Sequence, residues 1–510
     1  MKKIIYLCFL ILPITLFSQT KNNYPKEVEE VLQKAKANRN ELEKVILNYN
    51  KSKADSLKLK AAYFLIINMD IHYSADYYWA DSTGKRIDYN EMDYPNFFAA
   101  VDAFEAIKPK YGKVKPVPFK YLDIDTIKAT YLINNIDNAF ISWQLPQAKN
   151  LSFEEFCNNI LPYRVSNEPL QQWRDVYKNK FSWIKDSAAN KSTEETLKYF
   201  ASDFRSWFIN TWDLEQRKEP LPRLGPIQLL NRKKGNCDDI GDLMVYTLRS
   251  QGYPASLEHI PLWATTSGRH FFNSTYDING KLIPFDVSTN NVKIDNFSRE
   301  PSKVVRITYA KQANVLSNIL PQNQIPEGFM RMKNYLDVTS EYWQTASLET
   351  PLFESFNKPK IAFACVFNGF KWQPTWWGRV FNNKAVFEKL CKGAVFLPSY
   401  YINNKVIPAG YPIASGYQKQ QILKPDKINT RTITIKQQDK YLLFRIDKKY
   451  KLFYWDNNWK LIGEEIATEN TTELLFKNVP NNALMLLVPE YSQGKERPFT
   501  ITADGERQWW

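Results

Sequence analysis

The stretch GNCDDIGDLMVYTLRSQGYPASLEHIPLWATTSGRHFFNSTYDINGKLIPFD, residues 235–286, has the pattern of a helix followed by a pair of strands. Asn236 is a suitable N-cap, which places Cys237 at the first helical position. Apolar residues then recur at spacings of three and four, as on the buried face of a helix. Gly252 and Pro254 are typical of a helix end. The sequence therefore predicts a helix that begins at a cysteine.

Two strands joined by a hairpin turn are predicted after this helix. His270 begins the first strand and Asp286 closes the second, with Ile-Asn-Gly-Lys between them. A two-residue Asn-Gly turn pairs Asp286 with Asn273, on the face opposite His270. A three-residue turn with a left-handed glycine pairs Asp286 with Ser274, on the face of His270. Both registers are compatible with the sequence, and Asn-Gly-Lys suits the second.

A thiol, an imidazole and a carboxylate in this order suit the nucleophile, base and orienting group of a thiol acyl-transfer site. Cys237, His270 and Asp286 are the candidate catalytic residues. The N–H groups and dipole of a helix N-terminus favour a thiolate, whereas Asp238 and Asp239 oppose it. The sequence therefore does not predict a strongly lowered pKa for this thiol.

The oxyanion of such a reaction needs hydrogen-bond donors. The backbone N–H of Cys237 is one candidate, and it needs a partner from elsewhere. The side chains of Asn236 and Gln228 are the two candidates for that partner, since Gln228 lies in the short segment that leads into the cysteine helix.

These motifs resemble the core of the transglutaminase-like superfamily, which is related to papain-like cysteine enzymes. The resemblance rests on G-N-C at the head of a helix, on Gly-Tyr-Pro-Ala after it, and on an aspartate 16 residues after the histidine. It implies that Cys237, His270 and Asp286 are catalytic. The family usually has tryptophan where Phe272 stands and often arginine where Ser256 stands. Because these departures lie beside the site, they bear on substrate choice.

Phe272 and its neighbour Asn273 are therefore predicted to contribute to substrate binding. The wider chain also resembles secreted Bacteroidetes proteins that carry this core between a helical N-terminal region and a β-rich C-terminus. The segments that carry this likeness are LPYRVSNEPLQQWR (161–174), DVTSEYW (337–343), LFYWDNNWKLIG (452–463) and the terminal Trp509-Trp510.

The predicted fold class is α+β, with a helical N-terminal region, a papain-like core and C-terminal antiparallel β-sandwiches. Amphipathic helical patterns dominate before the core, and short alternating runs with Asn-Gly and Asn-Asn turns dominate after it. The predicted boundaries are a signal peptide at 1–18, a helical domain at 19–145, the core at 146–310, and β-sandwich domains at 335–425 and 426–510.

The first 18 residues combine two lysines, an apolar run and a small-residue end, which predicts a cleavable secretory signal. The mature protein is then expected in the periplasm or outside the cell, without a transmembrane segment. The net charge of +14 predicts a lysine-rich soluble surface rather than nucleic-acid binding, because no nucleic-acid motif accompanies it. The sequence does not predict an oligomeric state.

Cofactors and metals are not predicted, because the chain contains no CxxC motif and only three histidines, with no pair at metal-ligand spacing. Four cysteines follow the predicted signal. Cys365 and Cys391 could form a disulfide, but small buried hydrophobic residues are the favoured interpretation.

The predicted function is that of a thiol enzyme acting on peptide or amide bonds, with hydrolysis favoured over cross-linking. The alternative is a catalytically inactive envelope protein that binds glycan or peptide through its β domains. Clustered tryptophans at 372, 376, 377, 455 and 459 could stack on sugar rings, although buried core positions are the commoner role of such residues.

Overall fold

The computed structural model describes residues 24–211, 223–288, 292, 297–354, 359–438 and 442–510. The chain is α+β, as predicted, with its helices concentrated before residue 251 and its strands after it. The predicted signal peptide lies outside the described residues. Within the described part of the chain, every helix is too short or too polar to cross a bilayer.

The N-terminal region is a helical assembly around its own apolar core, which includes Leu32, Ile46, Leu65 and Ile136. The core continues into later residues such as Phe156. The helices are Lys26–Lys34, Arg39–Tyr49, Ser56–Met69, Phe97–Ile107, Asp123–Thr126 and Ala129–Trp143.

This region also contains two paired strands that the sequence analysis did not predict. Tyr73–Ala80 pairs antiparallel with Lys115–Leu122. Tyrosine and tryptophan in the first strand favour extended structure. The prolines at 116 and 118 concealed the second strand, because proline is tolerated only at the edge of a sheet.

The middle of the chain forms a helix-on-sheet layer that holds the candidate site. Its helices are Phe153–Asn159, Arg174–Lys180, Ile184–Ser187, Thr193–Trp207, Pro226–Arg232, Cys237–Ser250 and, further on, Thr339–Tyr342. Its antiparallel sheet has the strand order Leu282–Phe285, His270–Tyr276, Ala255–Ile260, Val305–Ile307 and Tyr335–Asp337. A short parallel pair, Ile209–Asn210 with Lys234–Gly235, precedes the helix that begins at Cys237.

Cys237–Ser250, named the cysteine helix below, packs directly on the strands Ala255–Ile260 and His270–Tyr276 of this sheet. Gly241 permits the close contact, since a Cβ there would lie 2.6 Å from Leu257 Cδ1. The helix ends as predicted, with Gly252 in the left-handed conformation at φ +79°. The packing brings the N-terminus of the helix to the start of the strand His270–Tyr276, named the histidine strand.

The C-terminal region is β-rich, and its described residues form two larger sheets and one strand pair. The first sheet has the order Thr345–Pro351, Lys384–Cys391, Lys371–Phe381, Ile361–Asn368, Ala394–Ile402, Ile413–Ser415 and Gln420–Ile422, and Lys405–Pro408 also pairs with Ala394–Ile402. The second has the order Asn458–Ile466, Lys449–Asp456, Met485–Pro489, Phe499–Ile501 and Arg507–Trp509. The strand pair is Asp426–Lys436 with Glu473–Asn481.

Buried aromatic residues join the two larger sheets. The rings of Trp372 and Trp455 meet edge to face with centroids 5.4 Å apart, and Trp459 contacts Phe367 at 5.6 Å. Trp376 and Trp455 are buried, as in the commoner of the two interpretations, whereas Trp372, Trp377 and Trp459 are half-buried and pack against the same core. Cys365 and Cys391 are buried free thiols, so the favoured interpretation of this pair is confirmed.

Candidate active site

The N-terminus of the cysteine helix is closed by a reciprocal pair of side-chain hydrogen bonds. Asn236 Oδ1 accepts from the N–H groups of Asp238 at 3.0 Å and Asp239 at 3.4 Å. Asp239 Oδ2 in turn accepts from the N–H of Asn236 at 3.0 Å. Gly235 is required here, because a Cβ would lie 2.5 Å from the Asp239 carboxylate. The cap holds Cys237 in the first turn, and it occupies the oxygen of Asn236.

The Cys237 thiol is buried between the helix and the histidine strand, with 2% of the residue exposed. Its sulfur lies 3.5 Å from Asp238 Oδ1, and the backbone N–H of Phe271 also interacts with it. Burial, followed by the Asp238 charge, raises the pKa of the thiol to about 12, although the Phe271 N–H acts in the opposite direction. The thiol is therefore protonated at neutral pH.

His270 and Asp286 form a hydrogen-bonded pair at the end of the sheet. His270 Nε2 lies 2.9 Å from Asp286 Oδ2, with 17% of the His270 side chain exposed. Asp286 Oδ1 accepts from the backbone N–H and the hydroxyl of Ser288, at 2.9 and 2.5 Å. Because Nε2 is engaged by Asp286, Nδ1 is the nitrogen left for exchange with a thiol proton.

Two aromatic rings lie nearly parallel to the His270 imidazole. The Trp263 ring has its centroid 6.0 Å away and the Phe272 ring 6.4 Å away. Trp263 was not predicted as a site residue, since it lies seven positions before the histidine with no periodic relation to it. Together with Asp286, the two rings restrict the orientation of the imidazole.

The register of the hairpin differs from both predicted registers. Tyr276 pairs with Leu282, and the pairing continues to Asn273 with Phe285. Asp286 therefore lies opposite Phe272. Pairing with Asn273 or with Ser274 was therefore wrong. The loop has three residues and Gly280 is left-handed, at φ +78°, as in the second alternative, but the loop comprises residues 278–280 instead of Asn-Gly-Lys. Asp286 consequently lies on the face of His270, because residues two apart share a face.

Gln228, a predicted oxyanion donor, is held inside the protein at both ends of its amide. Its Oε1 accepts from the N–H of Gly225 at 2.7 Å, and its Nε2 donates to Glu91 Oε1 at 2.7 Å. The residue is also buried. In this arrangement Gln228 supports the segment before the cysteine helix, and its amide nitrogen is engaged by Glu91.

The two residues predicted to bind substrate on the histidine strand are also interior residues. Phe272 is 1% exposed and packs edge-on against Phe297 and Tyr342. Asn273 Nδ2 donates to the carbonyl of Gly241 at 3.0 Å, which ties the strand to the cysteine helix. Proximity in sequence to the histidine was a poor guide to which side chains are accessible to a substrate, because the sheet is covered on both faces.

A buried arginine that sequence reasoning missed organises the charges beside the thiol. Arg223 lies 3.3 Å from Asp238 and 3.3 Å from Asp242, and it is 5% exposed. Arg269 adds a contact to Asp238 at 3.1 Å. Burial raises the pKa of the Asp242 carboxyl well above its usual range. Arg223 stands in a proline-rich segment with no periodicity, so the sequence offered no signal for this role.

No cluster of side chains suited to a metal ion occurs among the described residues. The chain has no match among curated proteins. Residues 185–287 match the sequence model of the transglutaminase-like superfamily, and this segment contains Cys237, His270 and Asp286. The fold around them, a helix that begins at the cysteine and packs on an antiparallel sheet, accords with that match. The chain therefore carries a transglutaminase-like superfamily domain at residues 185–287.

Proposed function

We propose that the protein is a thiol acyl-transfer enzyme acting on amide bonds of peptides, with Cys237 as nucleophile, His270 as base and Asp286 as orienting group. The observation that carries the proposal is the hydrogen bond from His270 to Asp286 at the start of the strand that contacts the Cys237 thiol. A base held by a fixed carboxylate beside a thiol at a helix N-terminus is the arrangement that such chemistry requires.

The first step transfers the Cys237 proton to His270 Nδ1 while the sulfur attacks the amide carbonyl carbon. The tetrahedral oxyanion is stabilised by the backbone N–H of Cys237, since the first N–H groups of a helix have no intrahelical partner. The C–N bond then breaks, and the imidazolium returns its proton to the departing amine. This leaves a thioester on Cys237.

The second step releases the acyl group to water. His270 takes a proton from the water as its oxygen attacks the thioester carbonyl, and the sulfur leaves as thiolate and recovers that proton. The products are a carboxylic acid and the resting thiol. Hydrolysis is favoured over cross-linking in this proposal, because water competes for the thioester unless an amine acceptor is bound.

The resting thiol pKa of about 12 bears on how the first step proceeds. The raised pKa disfavours a thiolate formed before the substrate arrives, so in this proposal sulfur attack and proton transfer to His270 occur together. This differs from a site in which a lowered pKa supplies an ion pair before the substrate arrives. We also propose that residues 1–18 export the protein to the periplasm or the cell exterior.

A second candidate function is that of an inactive envelope scaffold that binds peptide or glycan. The burial of Cys237, at 2% exposure, favours it, because a nucleophile must reach its substrate. The clustered tryptophans give the scaffold little support, because Trp455 is buried and packs edge to face against Trp372 and Trp459. The two functions differ in whether Cys237 reacts.

Covalent labelling of the folded full-length chain separates them. A glutamine-like peptide carrying an electrophile is incubated with the protein at pH 7.5, and modified cysteines are identified by mass spectrometry. The enzyme proposal expects modification of Cys237 and none of the other buried thiols, Cys157, Cys365 and Cys391. Cys237→Ala is the control. Absence of modification at Cys237 would contradict the enzyme and leave the scaffold.

A further inference from the structure

A cavity of about 850 Å³ lies beside the N-terminus of the cysteine helix. Asp238 and Phe271 form part of its wall, and these are the two residues whose groups contact the Cys237 sulfur. Cys237 itself does not line the cavity, which therefore lies one residue away from the thiol and reaches residues 328–334. A substrate that acylates Cys237 has this space for its neighbouring groups.

Positive charge predominates in the lining of this cavity. Its charged members are Lys120, Arg223, Arg269, Arg331 and Lys333 against Asp70 and Asp238. Asp70 is already paired with Lys34 at 2.6 Å and with Lys311, and Asp238 with the two nearest arginines. Lys333 has no ion-pair partner within the described ranges of the chain. The cavity as a whole therefore attracts an anion.

His259 adds a buried polar group with an unmet hydrogen bond. The residue is 9% exposed, lines the cavity and stacks on Phe271 with centroids 4.1 Å apart. Among the described residues, its Nε2 has no hydrogen-bond partner. Burial and the charges of Arg269, Arg223 and His270 lower the pKa of the imidazole well below its usual range, so the ring is neutral. A neutral imidazole can donate one N–H to a ligand oxygen.

Resting on the proposed function, we infer that this cavity binds a carboxylate of the acyl substrate, so that the preferred substrates are acidic peptides. Guanidinium groups match carboxylates in shape and charge, and Arg269 is 59% exposed with one carboxylate contact, which leaves donors available. The carboxylate can belong to an acidic side chain near the reacting amide or to the peptide C-terminus. Both sources present the same chemistry to the cavity.

Calorimetric binding to the full chain carrying Cys237→Ala tests this without requiring turnover. The ligands are octapeptides with a central glutamine: one with three flanking glutamates and blocked ends, one with three glutamines and blocked ends, and one neutral with a free C-terminal carboxylate. The acidic peptide is expected to bind about tenfold more tightly than the neutral blocked one. The third peptide shows whether a terminal carboxylate is sufficient.

The preference is expected to disappear in the triple variant Lys120→Gln, Arg331→Gln, Lys333→Gln and to weaken at high salt. Lys281→Gln is the matched control, because Lys281 is exposed in the hairpin turn and does not line the cavity. His259→Phe keeps a ring against Phe271 and removes the nitrogen, so weaker binding of the acidic peptide alone is expected.

Equal affinity for acidic and neutral peptides, or no binding of acidic peptides, would overturn the inference. So would a preference that survives the triple variant. Failure of the proposed function is distinct, since it shows as unmodified Cys237 in the labelling experiment, whatever the binding preference. A chain that prefers acidic peptides without reacting would be a binding protein that uses the same cavity.

Discussion

Two buried thiols have similarly raised pKa values but different surroundings. Cys237 lies at the N-terminus of its helix, and Cys365 lies inside the first C-terminal sheet. Burial raises the pKa of each to about 12. Besides burial, the Ser399 hydroxyl affects the pKa of Cys365. The pKa of Cys237 is also affected by a carboxylate, a backbone N–H and an arginine. Acidity therefore does not distinguish a nucleophile from a packed thiol here. The charged groups around Cys237 are what separate the proposed nucleophile from the packed thiol.

The variant His270→Ala is expected to have the largest effect on the reactivity of Cys237 relative to Cys365. We expect the rate of peptide-electrophile labelling at Cys237 to fall by about 10⁴-fold, because the thiol then lacks an acceptor for its proton. Labelling kinetics by mass spectrometry measure it, and Cys365 is expected to stay unmodified in both chains. The thermal midpoint should be nearly unchanged, since the imidazole has one side-chain hydrogen bond. An unchanged labelling rate would remove His270 from the mechanism.

A smaller loss is expected from Asp286→Asn, at about 10³-fold in the same assay. The amide carries no negative charge, so it cannot stabilise an imidazolium. It also has one oxygen instead of two, so it cannot accept every hydrogen bond that the carboxylate accepts, including those from Ser288. Ser288→Ala is the matched control, because it removes the hydroxyl contact and leaves the carboxylate, and a loss of roughly tenfold or less is expected. Equal losses in the two variants would mean that Asp286 acts by orienting His270 and that its charge adds nothing.

In contrast to these two variants, Asp238→Asn is expected to make the Cys237 thiol more reactive. Removing the carboxylate 3.5 Å from the sulfur removes a charge that raises the thiol pKa, while Arg223 and Arg269 remain nearby. We expect alkylation of Cys237 by iodoacetamide at pH 8 to become about tenfold faster, with Cys365 unaffected. A slower reaction at Cys237 would show that Asp238 aids the thiol.

The smallest effect concerns stability at alkaline pH. The folded pKa of Cys365 lies above its unfolded value of 9.0, so the folded state holds the proton more tightly. Its contribution is complete below pH 9 and is lost as pH rises toward 12. Between pH 8 and 10, the wild-type chain should lose about 1 kcal/mol of unfolding free energy more than Cys365→Ala does. Urea titrations at the two pH values measure it, and an equal loss in both chains would contradict it.

Parts of the site were predictable because their determinants are close together in the chain. The cap by Asn236, the helix start at Cys237 and the left-handed Gly252 depend on residues within one or two turns. The three-residue hairpin loop with its left-handed glycine depends on a few residues as well. The exact strand partner of Asp286 was missed, since a shift of two residues preserves the face and leaves the same apolar pattern.

Other parts could not be predicted, because they depend on contacts between distant residues. Gln228 is engaged by Glu91, which is 137 residues away, and its side chain alone does not reveal that contact. Phe272 is interior because Phe297 and Tyr342 cover the far face of the sheet. A strand residue next to a candidate base is exposed or buried according to what packs above it.

The sequence by itself determined that a thiol opens a helix, that an imidazole opens a strand, and that an aspartate closes the next strand of a hairpin. Capping, turn geometry and strand alternation are local, so a few neighbouring residues are enough to establish them. Only the tertiary structure decided that the thiol is buried beside Asp238, that Arg223 reaches that carboxylate, and that a basic cavity with His259 adjoins them. Burial and electrostatic fields are sums over all neighbours in space, and most of those neighbours are far away in the chain.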